Sequence, residues 1–149
     1  MTRQQKYPET STFRYHNQNP KGRLTTDCVI RAISTATDIP YTQVVMEMAE
    51  LQCKTGYDDG DAKLYDQYLK SKGWVKYKQP RKPDGTKYTG KEFCKDASNR
   101  FELLDRNIIA NIGGGHIVCI KANTFYEGHK VWDTWDCTHK CIGNYWIKP

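Results

Sequence analysis

The chain has 149 residues, 38% of them hydrophobic and 27% charged, with a formal net charge of +6. That length fits one domain with a core of its own, and the composition excludes a disordered, collagen-like or disulfide-dense chain. No apolar run reaches the length of a membrane span, and the polar start Met1-Thr2-Arg3-Gln4-Gln5-Lys6 lacks the pattern of a signal peptide, so no membrane partner and a cytoplasmic location are expected.

The first 24 residues are polar and irregular and are expected to form an N-terminal arm, with a short strand near Phe13 to Tyr15. Residues 25–149 are expected to form a single domain. It opens on Thr25-Thr26-Asp27-Cys28-Val29-Ile30-Arg31-Ala32-Ile33-Ser34. Thr26 or Asp27 can cap a helix whose apolar face carries Val29, Ile30 and Ile33. Cys28 then falls in the first turn, where the helix dipole and free backbone N–H groups favour thiolate. A second helix is expected after Asp38-Ile39-Pro40, with a stripe of Tyr41, Val44, Val45, Met48 and Leu51 and a stop at Gly56. A third follows a cap at Asp58 to Asp61, carries Ala62, Tyr65, Tyr68 and Leu69, and closes at Gly73. Trp74 to Lys78 reads as a strand, and Gln79 to Gly90 as an exposed loop. A short helix is expected over Lys91 to Ala97, and an apolar turn over Phe101 to Leu104.

From Asn107 the period changes. Ile108 to Ile112, His116 to Ala122, Lys130 to Asp133 and Gly143 to Ile147 read as strands, with a turn over Asn123 to His129. Helices followed by an antiparallel sheet predict an α+β fold.

His116 opens its strand directly after Gly113-Gly114-Gly115, which leaves room for a backbone or a substrate to approach the imidazole. Asp133 ends the partner strand of the next hairpin and so returns to the neighbourhood of His116. A carboxylate there fixes the imidazole's tautomer while the other nitrogen faces a thiol. Cys28, His116 and Asp133 are therefore the candidate catalytic residues, with Asp136 a competitor for the third role. Trp132, Trp135, Tyr145 and Trp146 read as core or cleft wall.

In these motifs the chain resembles the papain-like cysteine peptidase superfamily, and especially its small bacteriocin-processing branch. Asp27-Cys28 and its helix are similar to the nucleophile helix. Gly114-Gly115-His116-Ile117-Val118 resembles the histidine strand, and Asp133-Thr134-Trp135 resembles Asn-Ser-Trp with Asp for Asn. Gly143-Asn144-Tyr145-Trp146-Ile147 resembles the closing strand. The resemblance implies a papain-like fold, with the nucleophile helix packed on a C-terminal antiparallel sheet, and a cysteine hydrolase acting on an amide, peptide or isopeptide bond of a protein or peptide. Acyl transfer would use the same residues. Two departures stand out. Gly22 occupies the place of the family's oxyanion Gln, with Asn17, Gln18 and Asn19 upstream as substitutes, and Val29-Ile30 replace the paired glycines after the nucleophile. Small relatives of this type include phage proteins, which would place the chain in a host cytoplasm.

The alternative is a phage or mobile-element accessory protein on the same fold that binds and inhibits or recruits a host factor without catalysis. The lysines are dispersed except at Lys76, Lys78, Arg81, Lys82 and Lys87, a solvated basic loop that could meet an anionic partner; a nucleic-acid partner is disfavoured. Neither a cofactor nor a metal is expected. Cys137 and Cys141 with His129 nearby make a weak zinc pattern without a second close pair. Cys53, Cys94 and Cys119 read as buried packing residues, and His16, His129 and His139 as surface residues.

Overall fold

A computed structural model describes residues 1–100, 102–123 and 128–149. In chain order the elements are α1 (Arg3–Lys6), β1 (Phe13–Tyr15), α2 (Cys28–Thr37), α3 (Tyr41–Thr55), α4 (Ala62–Ser71), β2 (Val75–Tyr77), α5 (Gly90–Ala97), β3 (Ile108–Ile112), β4 (His116–Asn123), β5 (Gly128–Asp133) and β6 (Ile142–Ile147). The architecture is α+β, as the change of period predicts.

The helix boundaries follow local chemistry. Asp61 accepts from the Lys63 backbone N–H at 2.9 Å and starts α4. Thr89 and Glu92 form a capping box at α5. Gly56, at φ 76°, ends α3 in the left-handed region that suits glycine. Asp38 ends α2 in the same region at φ 61°, a conformation that Asp tolerates better than most side chains.

The sheet has six strands in the order β1-β5-β4-β3-β6-β2. β3, β4, β5 and β6 pair antiparallel, as expected. The sheet as a whole is nevertheless mixed, because β1 pairs parallel to β5, with Phe13 opposite Val131 and Tyr15 opposite Asp133. The N-terminal arm therefore supplies an edge strand, and Phe13 is fully buried. Of the expected turn over Asn123 to His129, residues 124–127 lie outside the described residues, while Gly128 and His129 open β5. Phe101, in the expected turn before Leu104, also lies outside them.

Both faces of the sheet are covered. On one, α2, α3 and α4 bury Ile33, Val44, Met48, Leu64 and Leu69 against Ile109, Ile117, Cys119 and Trp146. On the other, Phe93, Cys94 and Ala97 of α5 pack on Ile108, Ala110, Val118, Ile120 and Val131. Double coverage explains why β3 and β4 read as nearly unbroken apolar runs rather than as strict alternation. The apolar stripe of α3 is narrower than its sequence predicts. Val44 and Met48 are buried, while Val45 is 41% exposed and turns towards an open cleft. α2 packs on β4, so its first turn sits at the end of the sheet where β4 begins and β5 ends.

If β1 is part of the core, Phe13→Ala should cost about 3–5 kcal/mol in urea unfolding, whereas truncating the exposed Met46 should cost almost nothing.

Candidate active site

Cys28 is the first residue of α2, and Asp27 is the N-cap. The expected side-chain cap is missing. The Asp27 carboxylate instead accepts from Arg31 Nε at 2.8 Å, Tyr41 Oη at 2.6 Å and Asn19 Nδ2 at 3.0 Å. The first-turn N–H groups of Cys28, Val29 and Ile30 are thus left without a side-chain cap. Those three residues line a cleft of about 1040 Å³ together with His116 and Trp135. Val29 and Ile30 are partly buried against the core, and the buried stretch of α2 runs from Arg31 to Ala36.

His116 and Asp133 meet at this end of the sheet. His116 Nε2 lies 2.5 Å from Asp133 Oδ2, and Asp133 is only 2% exposed. The other carboxylate oxygen accepts from Arg31 Nη1 and from the Thr134 backbone N–H, each at 2.7 Å. Asp133 is therefore held on both oxygens. With Nε2 committed to the carboxylate, Nδ1 is the imidazole nitrogen left for Cys28. Cys28 and His116 line the same cleft, and each shifts the titration of the other. The Trp135 ring lies 5.5 Å from the imidazole, centroid to centroid, and shields this pair.

The protonation states follow from these neighbours. Burial disfavours the imidazolium, but Asp133 and Cys28 outweigh it and raise His116 to about 9. Burial also disfavours the Cys28 thiolate, yet His116, the Ile117 backbone and Arg31 outweigh that and hold the thiol below its ordinary value. Asp133 stays below the usual carboxylate range despite burial, because His116 and Arg31 face it. The buried thiols behave oppositely: desolvation pushes Cys94 and Cys119 up to about 12. Cys28 is shifted towards thiolate, opposite to these buried thiols.

Comparison with protein-family models, curated proteins and solved structures finds no match.

Asp136, the competitor for the third position, is committed elsewhere: its Oδ1 accepts from the Thr138 N–H at 3.0 Å and the Thr138 hydroxyl at 2.6 Å. The three upstream amides are committed too. Asn17 donates to the Arg23 carbonyl at 3.1 Å, Gln18 to Ser34 Oγ at 3.0 Å and Asn19 to Asp27. Cys141 is exposed while Cys137 is buried. His129 is not a surface residue but a core one, 2% exposed, with Nε2 2.9 Å from the Arg106 carbonyl oxygen. It therefore does not join Cys137 and Cys141. His16 is half-buried against Trp132, with its ring bonded to Gln18, whereas His139 is exposed. Cys53, read as buried, is exposed on α3 because it falls off that helix's buried face.

Arg31 is the site residue that sequence reasoning missed. Its signal was an arginine inside the apolar run Val29-Ile30-Arg31-Ala32-Ile33, four residues after Asp27. A guanidinium in such a run needs acids to meet it, and it finds Asp27 and Asp133 together.

Arg31→Met would take the shared cation from buried Asp133 and half-buried Asp27 and should cost about 3 kcal/mol of stability at neutral pH. Asp27 and Asp133 both have depressed folded-state values, so the stabilisation they provide exists above their unfolded values and is lost on acidification. The gap between wild type and Arg31→Met should therefore narrow below about pH 4. Urea midpoints across pH would measure this.

Proposed function

We propose that this protein is a cysteine hydrolase of papain-like type that cleaves an amide, peptide or isopeptide bond. The observation that carries the reading is one imidazole flanked by a buried, doubly anchored carboxylate and by a thiol of lowered pKa that opens onto a large cleft.

Cys28, as thiolate, attacks the substrate carbonyl carbon. The carbonyl electrons move to oxygen, next to the uncapped N–H groups of α2. The imidazolium of His116 then donates its Nδ1 proton to the departing amine, the C–N bond breaks and a thioester remains. Neutral His116 takes a proton from water as the water attacks the thioester, and Cys28 leaves as thiolate. Asp133 keeps the remaining ring proton on Nε2 and stabilises the imidazolium throughout. An amine in place of the water would give acyl transfer on the same residues.

The non-catalytic alternative receives less support from the basic loop, because three of its five cations already have partners within the chain. Lys82 pairs with Glu92, Arg81 Nη1 donates to the Gly85 carbonyl at 3.2 Å, and Lys76 lies 3.9 Å from Asp66. Among the described residues no helix is long and apolar enough to cross a membrane.

Iodoacetamide should label Cys28 at neutral pH at least tenfold faster than exposed Cys53; equal rates would remove the nucleophile assignment. Hydrolysis should follow a bell. Its acid limb reports loss of the thiolate. Its alkaline limb lies near pH 9, where His116 gives up the proton the leaving amine needs. Asp133→Asn removes the group that raises His116, so the alkaline limb should move to lower pH and the rate at its maximum should fall. An alkaline limb unmoved by that change would contradict the assigned role of Asp133.

A further inference from the structure

The attack step leaves one demand unmet by the residues already named. An oxyanion held only by backbone N–H groups lacks the side-chain donor that Asn17, Gln18 or Asn19 was expected to supply, and each of those amides is bonded elsewhere. We infer that the Tyr65 hydroxyl is that donor, a residue of α4 that reaches the same cleft as Cys28. The inference rests on the hydrolase reading.

Tyr65 lines the cleft together with Cys28 and Gly115. Its side chain is largely buried, and its ring packs edge-on against Trp146, with centroids 5.7 Å apart at an interplanar angle of 75°. The ring is thus fixed by the core. The hydroxyl makes no hydrogen bond among the described residues, in contrast to Tyr41 and Tyr68, whose hydroxyls bond Asp27 and Glu47. No fully buried side-chain nitrogen or oxygen among the described residues lacks a partner. The Tyr65 oxygen therefore touches open space, and the space this residue lines is the cleft. A preformed donor without a partner inside a catalytic cleft is what stabilisation of a developing oxyanion requires, because nothing must be broken when the charge appears.

The protonation state agrees. Burial and the nearby Cys28 charge both push the Tyr65 phenol above its ordinary value, so it stays a donor across the working range. During attack the Cys28 sulfur–carbon bond forms and the carbonyl π electrons move to oxygen. The Tyr65 O–H donates a hydrogen bond to that oxygen and keeps its proton. When the electrons return and the leaving group departs, Tyr65 is unchanged.

The test compares two reactions of the same sulfur in the full chain. p-Nitrophenyl acetate acylates Cys28 through an oxyanion, whereas iodoacetamide alkylates it by displacement with no oxyanion. Tyr65→Phe deletes the hydroxyl and keeps the ring against Trp146. It should slow acylation of Cys28 about 100-fold and leave the alkylation rate within about twofold. Equal acylation rates in the two proteins would overturn the inference and leave the hydrolase reading standing. A parallel loss of both reactions would also overturn it, since a purely structural role does that. Absence of Cys28 acylation in the wild type would remove the hydrolase reading and this inference together.

Discussion

A single buried guanidinium joins the helix that carries the thiol to the strand that carries the carboxylate. Arg31 sits one turn into α2 and holds Asp27 at the helix start and Asp133 at the end of β5. These acids are 106 residues apart in sequence (133 − 27). Two acids and one base leave a net negative charge at this junction, and that charge favours a protonated His116. The ion pairs are not evidence of high stability, because desolvation consumes much of what they gain. Their consequence is geometric: they hold the start of α2, which carries Cys28, to the end of β5, beside His116.

The same carboxylate then faces two cations with different duties. Arg31 is permanently charged and takes Oδ1, while His116 titrates and takes Oδ2. Because Arg31 keeps its charge through the range in which His116 titrates, His116 can change protonation while Asp133 stays held. The Thr134 N–H shares Oδ1, and Arg3 Nε donates to the Thr134 carbonyl at 2.6 Å. The N-terminal segment therefore buttresses the Asp133–Trp135 turn, beside the edge strand it adds to the sheet.

Much of this was legible in the sequence wherever local physics decides the outcome. The apolar runs after Asn107 gave strands within a few residues of their ends, and the Gly56 and Asp61 boundaries followed from a left-handed glycine and a side-chain cap. His116 and Asp133 could be paired because a hairpin relates the start of one strand to the end of the next. What escaped was set by packing across long separations. The parallel pairing of β1, the burial of His129 and the bridging role of Arg31 depend on partners about 30 to 120 residues away, and no local pattern encodes them. The Asp27 cap failed because its carboxylate is taken by the side chains of Arg31, Tyr41 and Asn19.

The central claim is that thiol, imidazole and carboxylate share protons as one unit. An NMR titration of the His116 ring in the wild type and in Cys28→Ser addresses it most directly. The account predicts an imidazolium that persists to about pH 9 in the wild type and titrates at distinctly lower pH once the thiolate is gone. A His116 that titrates near its ordinary value in both proteins would contradict it.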